Sequence, residues 1–381
     1  MTDWLSVGGS LLASGDSNAV KDFINAICKP HWFFVLANVV LVIFLVGYRR
    51  LTKPGIALFV GIAFTVFYLA SAQDPDFWNI IKKADNVPIT MMIYLMGFCI
   101  WLAFRQAAIN DQRLETGQPL LEAGSDDKVL VWPDLVYIEL IALVLCTVLL
   151  MVWAVILRAP LEPPANPSVA PNPSKAPWYF LGLQELLVYF DPWIAGVLLP
   201  GLIILGLMAL PYIDRNPRGN GYYTFKERKF AVSIFLFGFG ILWIVLIVFG
   251  TFLRGPNWNF FGPYEFWDPH RPAALLNINF SDIFWVWWLG RGIPTEGIGF
   301  VPHYVVREAP GIVVLLGYFL VLPMILKQTV FRKLATQLGF YRYSVMVFLF
   351  LWMALIPIKM VLRWTLNMHY IVAITELFLN F

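Results

Sequence analysis

Eight stretches of this chain are long and apolar enough to cross a lipid bilayer, and that pattern restricts its fold more than any other feature. A helix needs about 20 mostly apolar residues to span the hydrocarbon layer. Runs of this kind lie near 32–48, 55–72, 88–104, 135–157, 194–213, 230–253, 309–327 and 344–362. The first three are closed by charges or proline: Arg49-Arg50, Pro54, Pro88 and Arg105. The pattern predicts an all-α, polytopic transmembrane protein of about eight transmembrane helices, with interfacial helices in its outer loops. Composition agrees. Charged residues make up only 13% of the chain against 59% hydrophobic, where a soluble domain carries roughly a quarter charged. The 16 tryptophans suit headgroup anchoring. A net charge of +3 gives no reason to expect nucleic acid.

The positions of Lys and Arg set an orientation, because cytoplasmic loops are enriched in them. Alternate connections carry Arg49, Arg50 and Lys53; Arg105, Arg113 and Lys128; Arg215, Arg218, Lys226, Arg228 and Lys229; and Lys327, Arg332, Lys333 and Arg342. These are 15 of the 27 basic residues. Placing these loops inside puts both termini outside. No basic region followed by an apolar core opens the chain, so no cleavable signal peptide is expected. Cys28, Cys99 and Cys146 are too dispersed for a disulfide framework, and no Cys-x-x-Cys-His sequence offers covalent haem attachment.

Two outer connections, 158–193 and 254–308, are long, and long ordered loops are more often functional than incidental. The first is rich in Pro and Asn. The second holds Arg254-Gly-Pro-Asn-Trp-Asn-Phe-Phe-Gly-Pro263 and Phe284-Trp-Val-Trp-Trp288. Residues 280–290 read as a short interfacial helix with Trp285, Trp287 and Trp288 inserted. No internal repeat is visible. The charge-rich stretch from Asp111 to Lys128 is the expected boundary between the first three spans and the rest.

From Trp132 the order of motifs becomes specific. Trp132-Pro-Asp-Leu-Val-Tyr137 opens a span and Ala165-Asn-Pro167 follows. Ala176-Pro-Trp-Tyr-Phe-Leu-Gly-Leu-Gln-Glu-Leu186 leads to a span ending Pro211-Tyr-Ile-Asp214. Asn216-Pro217 then precedes another span. This series resembles the C-terminal half of cytochrome b and is similar to subunit IV of the plastoquinol-oxidising complex. That family runs Trp-Pro-Asn-Asp, Ala-Asn-Pro, Pro-Glu-Trp-Tyr and Pro-Phe-Ile-Glu in the same order. The expected division is 1–131 as an additional transmembrane region, 132–253 as the cytochrome b C-terminal-like domain, and 254–381 as a long outer loop with two further helices.

The resemblance implies a membrane subunit of a quinol:cytochrome c oxidoreductase in an energy-conserving membrane such as the bacterial inner membrane. Quinol is then the substrate, and the chain is not catalytic alone. Partners supply haem b, haem c and an iron–sulfur cluster: a haem-binding cytochrome b N-terminal half, a Rieske protein and a c-type cytochrome. They form a multi-subunit complex for which a dimer is open. Trp178 and Tyr179 map onto the family's Trp-Tyr pair at the quinol-oxidation pocket. Asp134 maps onto an acidic residue near the quinone-reduction site. Glu139, about a turn and a half further in, is a second quinone-binding candidate because acids in spans default to functional hypotheses.

The motif glutamate falls at Pro177, which cannot accept a proton, although quinol oxidation releases two. Glu185 is the nearest downstream acid and the candidate catalytic base. It lies about 12 Å along a helix axis and about 80° round from Pro177, so it is not a simple relocation. Asp268, His270 or a partner subunit are the alternatives. The four histidines, His31, His270, His303 and His369, lie outside the depths of the spans, and paired intramembrane ligands are what a b haem needs. No haem held by two of this chain's own ligands is expected, and no metal site. The competing reading is a redox-inactive scaffold or transporter subunit.

Overall fold

The computed structural model describes residues 17–84, 86–124, 128–156, 164–168, 170–214, 221–272 and 276–381. Arg215 and Arg218, and residues 157–163 and 169 of the first long outer loop, lie outside the described residues. Single turns aside, the described chain forms twelve helices. In order they are α1 (Ser17–Ile27), α2 (Pro30–Leu51), α3 (Pro54–Ser71), α4 (Pro75–Ile81), α5 (Asn86–Glu115) and α6 (Val131–Ile156). Then follow α7 (Trp178–Leu186), α8 (Ile194–Ile213), α9 (Lys229–Leu253), α10 (Phe280–Asp282 continued by Ile283–Trp288), α11 (His303–Gln328) and α12 (Arg332–Leu366).

Eight of them are long and apolar enough to cross a membrane: α2, α3, α5, α6, α8, α9, α11 and α12. They coincide with the eight runs read from the sequence. The protein is an all-α, polytopic integral membrane protein. Helix α5 outlasts its apolar run by about three turns, because polar residues from Arg105 onward continue the helix beyond the hydrocarbon. Helix α12 is interrupted at Gly339, whose φ of 75° is a conformation glycine adopts without a Cβ penalty.

The fold divides into two units. The first comprises the chain up to Val46, residues 172–214 and residues 230–381 among those described. Its core gathers Phe34 from α2, Leu186 at the end of α7, Tyr189, Phe190, Phe249 from α9, and Trp352 and Met360 from α12. Phe33 meets Phe249 and Phe34 meets Trp364 ring to ring. The N-terminal half of α2 is therefore built into this unit. Within hydrocarbon such contacts hold through close packing, since lipid tails are as apolar as the side chains they replace. Beyond α12 the chain folds back: Met368 bridges Ile278, and Ala373–Ile374 pairs antiparallel with Leu379–Asn380. Helix α10 is capped by Asn279 and Asp282, and its Trp287 and Trp288 are exposed.

The second unit comprises Gly47–Pro171 and Gly219–Lys229 where described. Asp74 caps α4 by accepting from the backbone N–H groups of Asp76 and Phe77 at 2.9 and 3.0 Å. Interhelical hydrogen bonds join α3 to α5, Tyr68 to Thr90 and Tyr94 to Thr65, both at 3.2 Å. A buried knot closes one end. Asp111 accepts from the Tyr48 hydroxyl at 2.7 Å and from the backbone N–H groups of Phe225 and Lys226 at 3.2 and 3.1 Å. Asn110 donates to the Tyr223 carbonyl at 2.9 Å and to Glu122 at 2.8 Å, and accepts from Leu121 N–H at 3.0 Å. The ends of α2 and α5 thus grip the segment that leads into α9.

Candidate functional site

Helix α7 begins directly after Pro177, which fixes its own φ and has no N–H to satisfy at a helix start. The turn ahead of it is fixed from within. The Gln184 side chain donates to the Ser174 carbonyl at 2.9 Å and accepts from Ala176 N–H at 2.8 Å. Lys175 donates to the Thr251 carbonyl at 2.8 Å and lies 4.8 Å from the centre of the Trp267 ring.

Helical periodicity sorts the residues of α7 onto two faces. Leu181, Gly182, Glu185 and Leu186 are buried, while Tyr179 and Phe180 are exposed and Trp178 is half-buried. The three aromatic rings form a cluster, Tyr179 lying 4.7 Å from Phe180 and 5.6 Å from Trp178 between centroids. The Tyr179 hydroxyl has no hydrogen-bond partner among the described residues, so it is available to a ligand.

Glu185, on the inner face, is fully buried. Its carboxylate accepts from Arg254 twice, at 3.0 Å from Nε and 2.7 Å from an Nη. It also accepts from the Tyr189 hydroxyl at 2.9 Å and the Trp258 indole at 3.2 Å. Arg254 is equally committed: it donates to the Trp258 carbonyl and stacks 3.7 Å from the Phe260 ring centre. Burial works against the guanidinium charge, and the Glu185 carboxylate beside it outweighs that, holding its pKa above the usual range. Burial, then the neighbouring Glu185 charge, pushes the Tyr189 hydroxyl well up, so it stays a neutral donor.

The loop carrying Arg254 is tightly closed. Arg254 pairs with Phe260 as an isolated bridge, and Phe261 N–H donates to the Leu253 carbonyl at 2.9 Å. At its tip Asn257 and Trp258 both adopt left-handed backbone, with φ of 56° and 55°. Such conformations cost on the order of 1–3 kcal/mol each and persist only where surroundings enforce them. Here Asn172 holds the first of them: its side chain accepts from Asn257 N–H at 2.6 Å and donates to the Asn257 side chain at 3.1 Å. Asn257 in turn donates to the carbonyls of Pro269 and Arg271.

Residues 164–263 match the family described as cytochrome b (C-terminal)/b6/petD. Over that stretch, about a quarter of its length, the chain is similar to the C-terminal part of cytochrome b. No solved structure matches the chain. The matched stretch holds both loops just described, from the Asn-Pro turn at 166–167 through α7 to Gly262, and with them Trp178, Tyr179, Glu185, Arg254 and Trp258. The matched family joins cytochrome b with b6 and petD, so the likeness is to proteins of membrane electron transport.

The remaining candidates sit elsewhere. Asp134 and Glu139 belong to the second unit, both exposed on α6, and neither carboxylate has a hydrogen-bond partner among the described residues of that unit. Asp268 and His270 are exposed in the second long loop, the His270 N–H donating to Asp268 at 2.8 Å. His31 is the second residue of α2, His303 the first of α11, and His369 follows α12. None lies at the depth where paired haem ligands face each other, so these residues do not fit a b haem held by two ligands of this chain. Among the described residues no group of three His, Cys, Asp or Glu could hold a metal ion. Sequence reasoning missed Arg254, Trp258 and Tyr189. Tyr189 was within reach, because residues four apart on a helix share a face.

Proposed function

We propose that this chain is the subunit of a quinol-oxidising complex that forms one wall of the quinol-oxidation pocket, beside a separate haem-b-carrying cytochrome b half. A Rieske protein and a c-type cytochrome complete the complex, and the chain is not catalytic alone. The observation that carries this reading is the exposed Tyr179-Phe180 pair on α7 beside the half-buried Trp178 ring, inside the stretch similar to cytochrome b, with a hydroxyl free for a ligand. In this reading the aromatic cluster takes the quinol ring, and the Tyr179 hydroxyl orients a quinol hydroxyl. Glu185, expected from sequence as the base, has its carboxylate committed to four donors. We assign the departing protons instead to Asp268, His270 or a partner subunit. Asp134 and Glu139 serve a second, quinone-reducing site toward the inner side. Residues 1–131 form an additional region, 132–253 the cytochrome b-like domain and 254–381 the loop and last helices.

One observation favours a second reading, a redox-inactive scaffold or transporter subunit: Pro177 stands where the family motif has its glutamate. Purification of the native complex in mild detergent separates the two. Co-purifying b-haem bands in the reduced-minus-oxidised spectrum, with quinol:cytochrome c activity, are expected. A colourless, inactive assembly would overturn the redox reading.

A further inference from the structure

The buried carboxylate of α7 and the strained loop after α9 are parts of one device. We propose that Glu185, Arg254 and Trp258 form a positioning clamp, which sets the Trp178-Tyr179-Phe180 face of α7 against the loop 254–262, and that this loop is a second wall of the quinol pocket. The inference rests on the reading of α7 as a quinol-pocket wall and adds residues that act on that wall from behind.

Three observations carry it. Six residues separate Tyr179 from Glu185, which is about 9 Å of helix and about 120° of rotation. Tyr179 therefore faces out where Glu185 faces in, and Glu185 can act on a bound ring only through the helix that carries both. Next, an ion pair this deeply buried is weak evidence for stability, because well-packed apolar residues of similar volume often serve as well or better. Its donors come from three places in the chain: Tyr189 beyond α7, Arg254 at the end of α9, and Trp258 at the loop tip. That connectivity fixes relative position. Last, the loop tip holds two consecutive left-handed residues that are not glycine, tied through Asn172 to the irregular segment leading into α7. Backbone strain of this kind gathers where a geometry is used. The ligand these walls fit is a flat, dihydroxylated ring that can lie on aromatic faces and hydrogen-bond to a phenol.

The experiment uses the whole complex in its native membrane and compares wild type with the paired neutral variant E185Q/R254Q and with W258F. The paired variant removes both charges together, so no unpaired ion remains buried to block assembly, and W258F removes only one donor. Two measurements are made on each: amide hydrogen exchange over 178–186 and 254–262, and steady-state oxidation of a short-chain quinol across pH. The clamp predicts at least tenfold faster exchange in both segments of E185Q/R254Q. It also predicts a tenfold higher KM with kcat within threefold of wild type and an unshifted pH profile. W258F should show a KM about threefold higher. Unchanged exchange and an unchanged KM in E185Q/R254Q would overturn the clamp. So would a loss of kcat of about a hundredfold with a displaced pH profile, which is the signature of a general base. Exchange is read whether or not the complex turns over. A wild-type complex without haem or quinol oxidation therefore refutes the functional reading alone, while the exchange result still decides the clamp.

Discussion

Tyr179 and Glu185 lie six residues apart on one short helix, and the structure gives them opposite circumstances. Tyr179 faces outward with an unused hydroxyl, so its loss should strand nothing inside the protein. One hydrogen bond to a ligand is worth about 0.5–1.5 kcal/mol, and tenfold in rate corresponds to about 1.4 kcal/mol. Tyr179→Phe in the assembled complex should therefore slow quinol oxidation by roughly threefold to tenfold, with assembly intact because the ring remains. Steady-state kinetics on membranes would check this, and unchanged turnover would move the pocket elsewhere. Glu185→Gln alone should behave differently. It leaves Arg254 buried without its counter-charge, a loss of about 3–5 kcal/mol, and should appear first as reduced assembly on native gels. The sequence singled out Glu185 because acids are rare in such a chain, yet its partner stands 69 residues away. Spacing within α7 gives the face it lies on, and nothing local gives the cation that meets it.

At the scale of elements, the eight spans were legible because hydropathy over about 20 residues responds to the bilayer alone. Which helices touch was not, since a helix apolar on all sides carries no stripe to mark its partner. Helix α2 illustrates this: it belongs to the extra region by sequence, yet Phe33 and Phe34 pack into the core beside α9 and α12. The polar knot at Asn110 and Asp111 was hidden for another reason. The charge-rich stretch from Asp111 reads as a linker, whereas Asp111 itself is buried and holds the backbone of Phe225 and Lys226. Asp111→Ala would strand the Tyr48 hydroxyl and two backbone N–H groups, each costing about 1–3 kcal/mol if it stays dry. Lower thermal stability of the detergent-solubilised protein is expected, with Asp111→Asn recovering part of it. Equal melting of Asp111→Ala and wild type would show that the knot is dispensable.

Across the whole molecule, side of the membrane links these parts. The first long loop lies between the fourth and fifth spans and the second between the sixth and seventh. An even number of crossings separates them, so they must emerge on one face, and the Glu185–Arg254 pair joins them there. On the orientation expected from the sequence that face is the outer one, because the single connection between them, like the other alternate connections, is rich in Lys and Arg. Protons released at α7 would then leave on the outer side, as quinol oxidation coupled to charge separation requires. Substituted cysteines test the assignment directly. In a background with Cys28, Cys99 and Cys146 replaced by alanine, Ser174→Cys and Gln118→Cys each offer an exposed thiol, the first in the connection ahead of α7 that is expected outside and the second in the connection after α5 that is expected inside. A membrane-impermeant maleimide should label Ser174→Cys in intact cells or right-side-out vesicles and Gln118→Cys only after permeabilisation. The opposite pattern would place α7 and the loop 254–262 on the inner face. It would leave the clamp geometry untouched, while removing α7 from any site that releases protons outward.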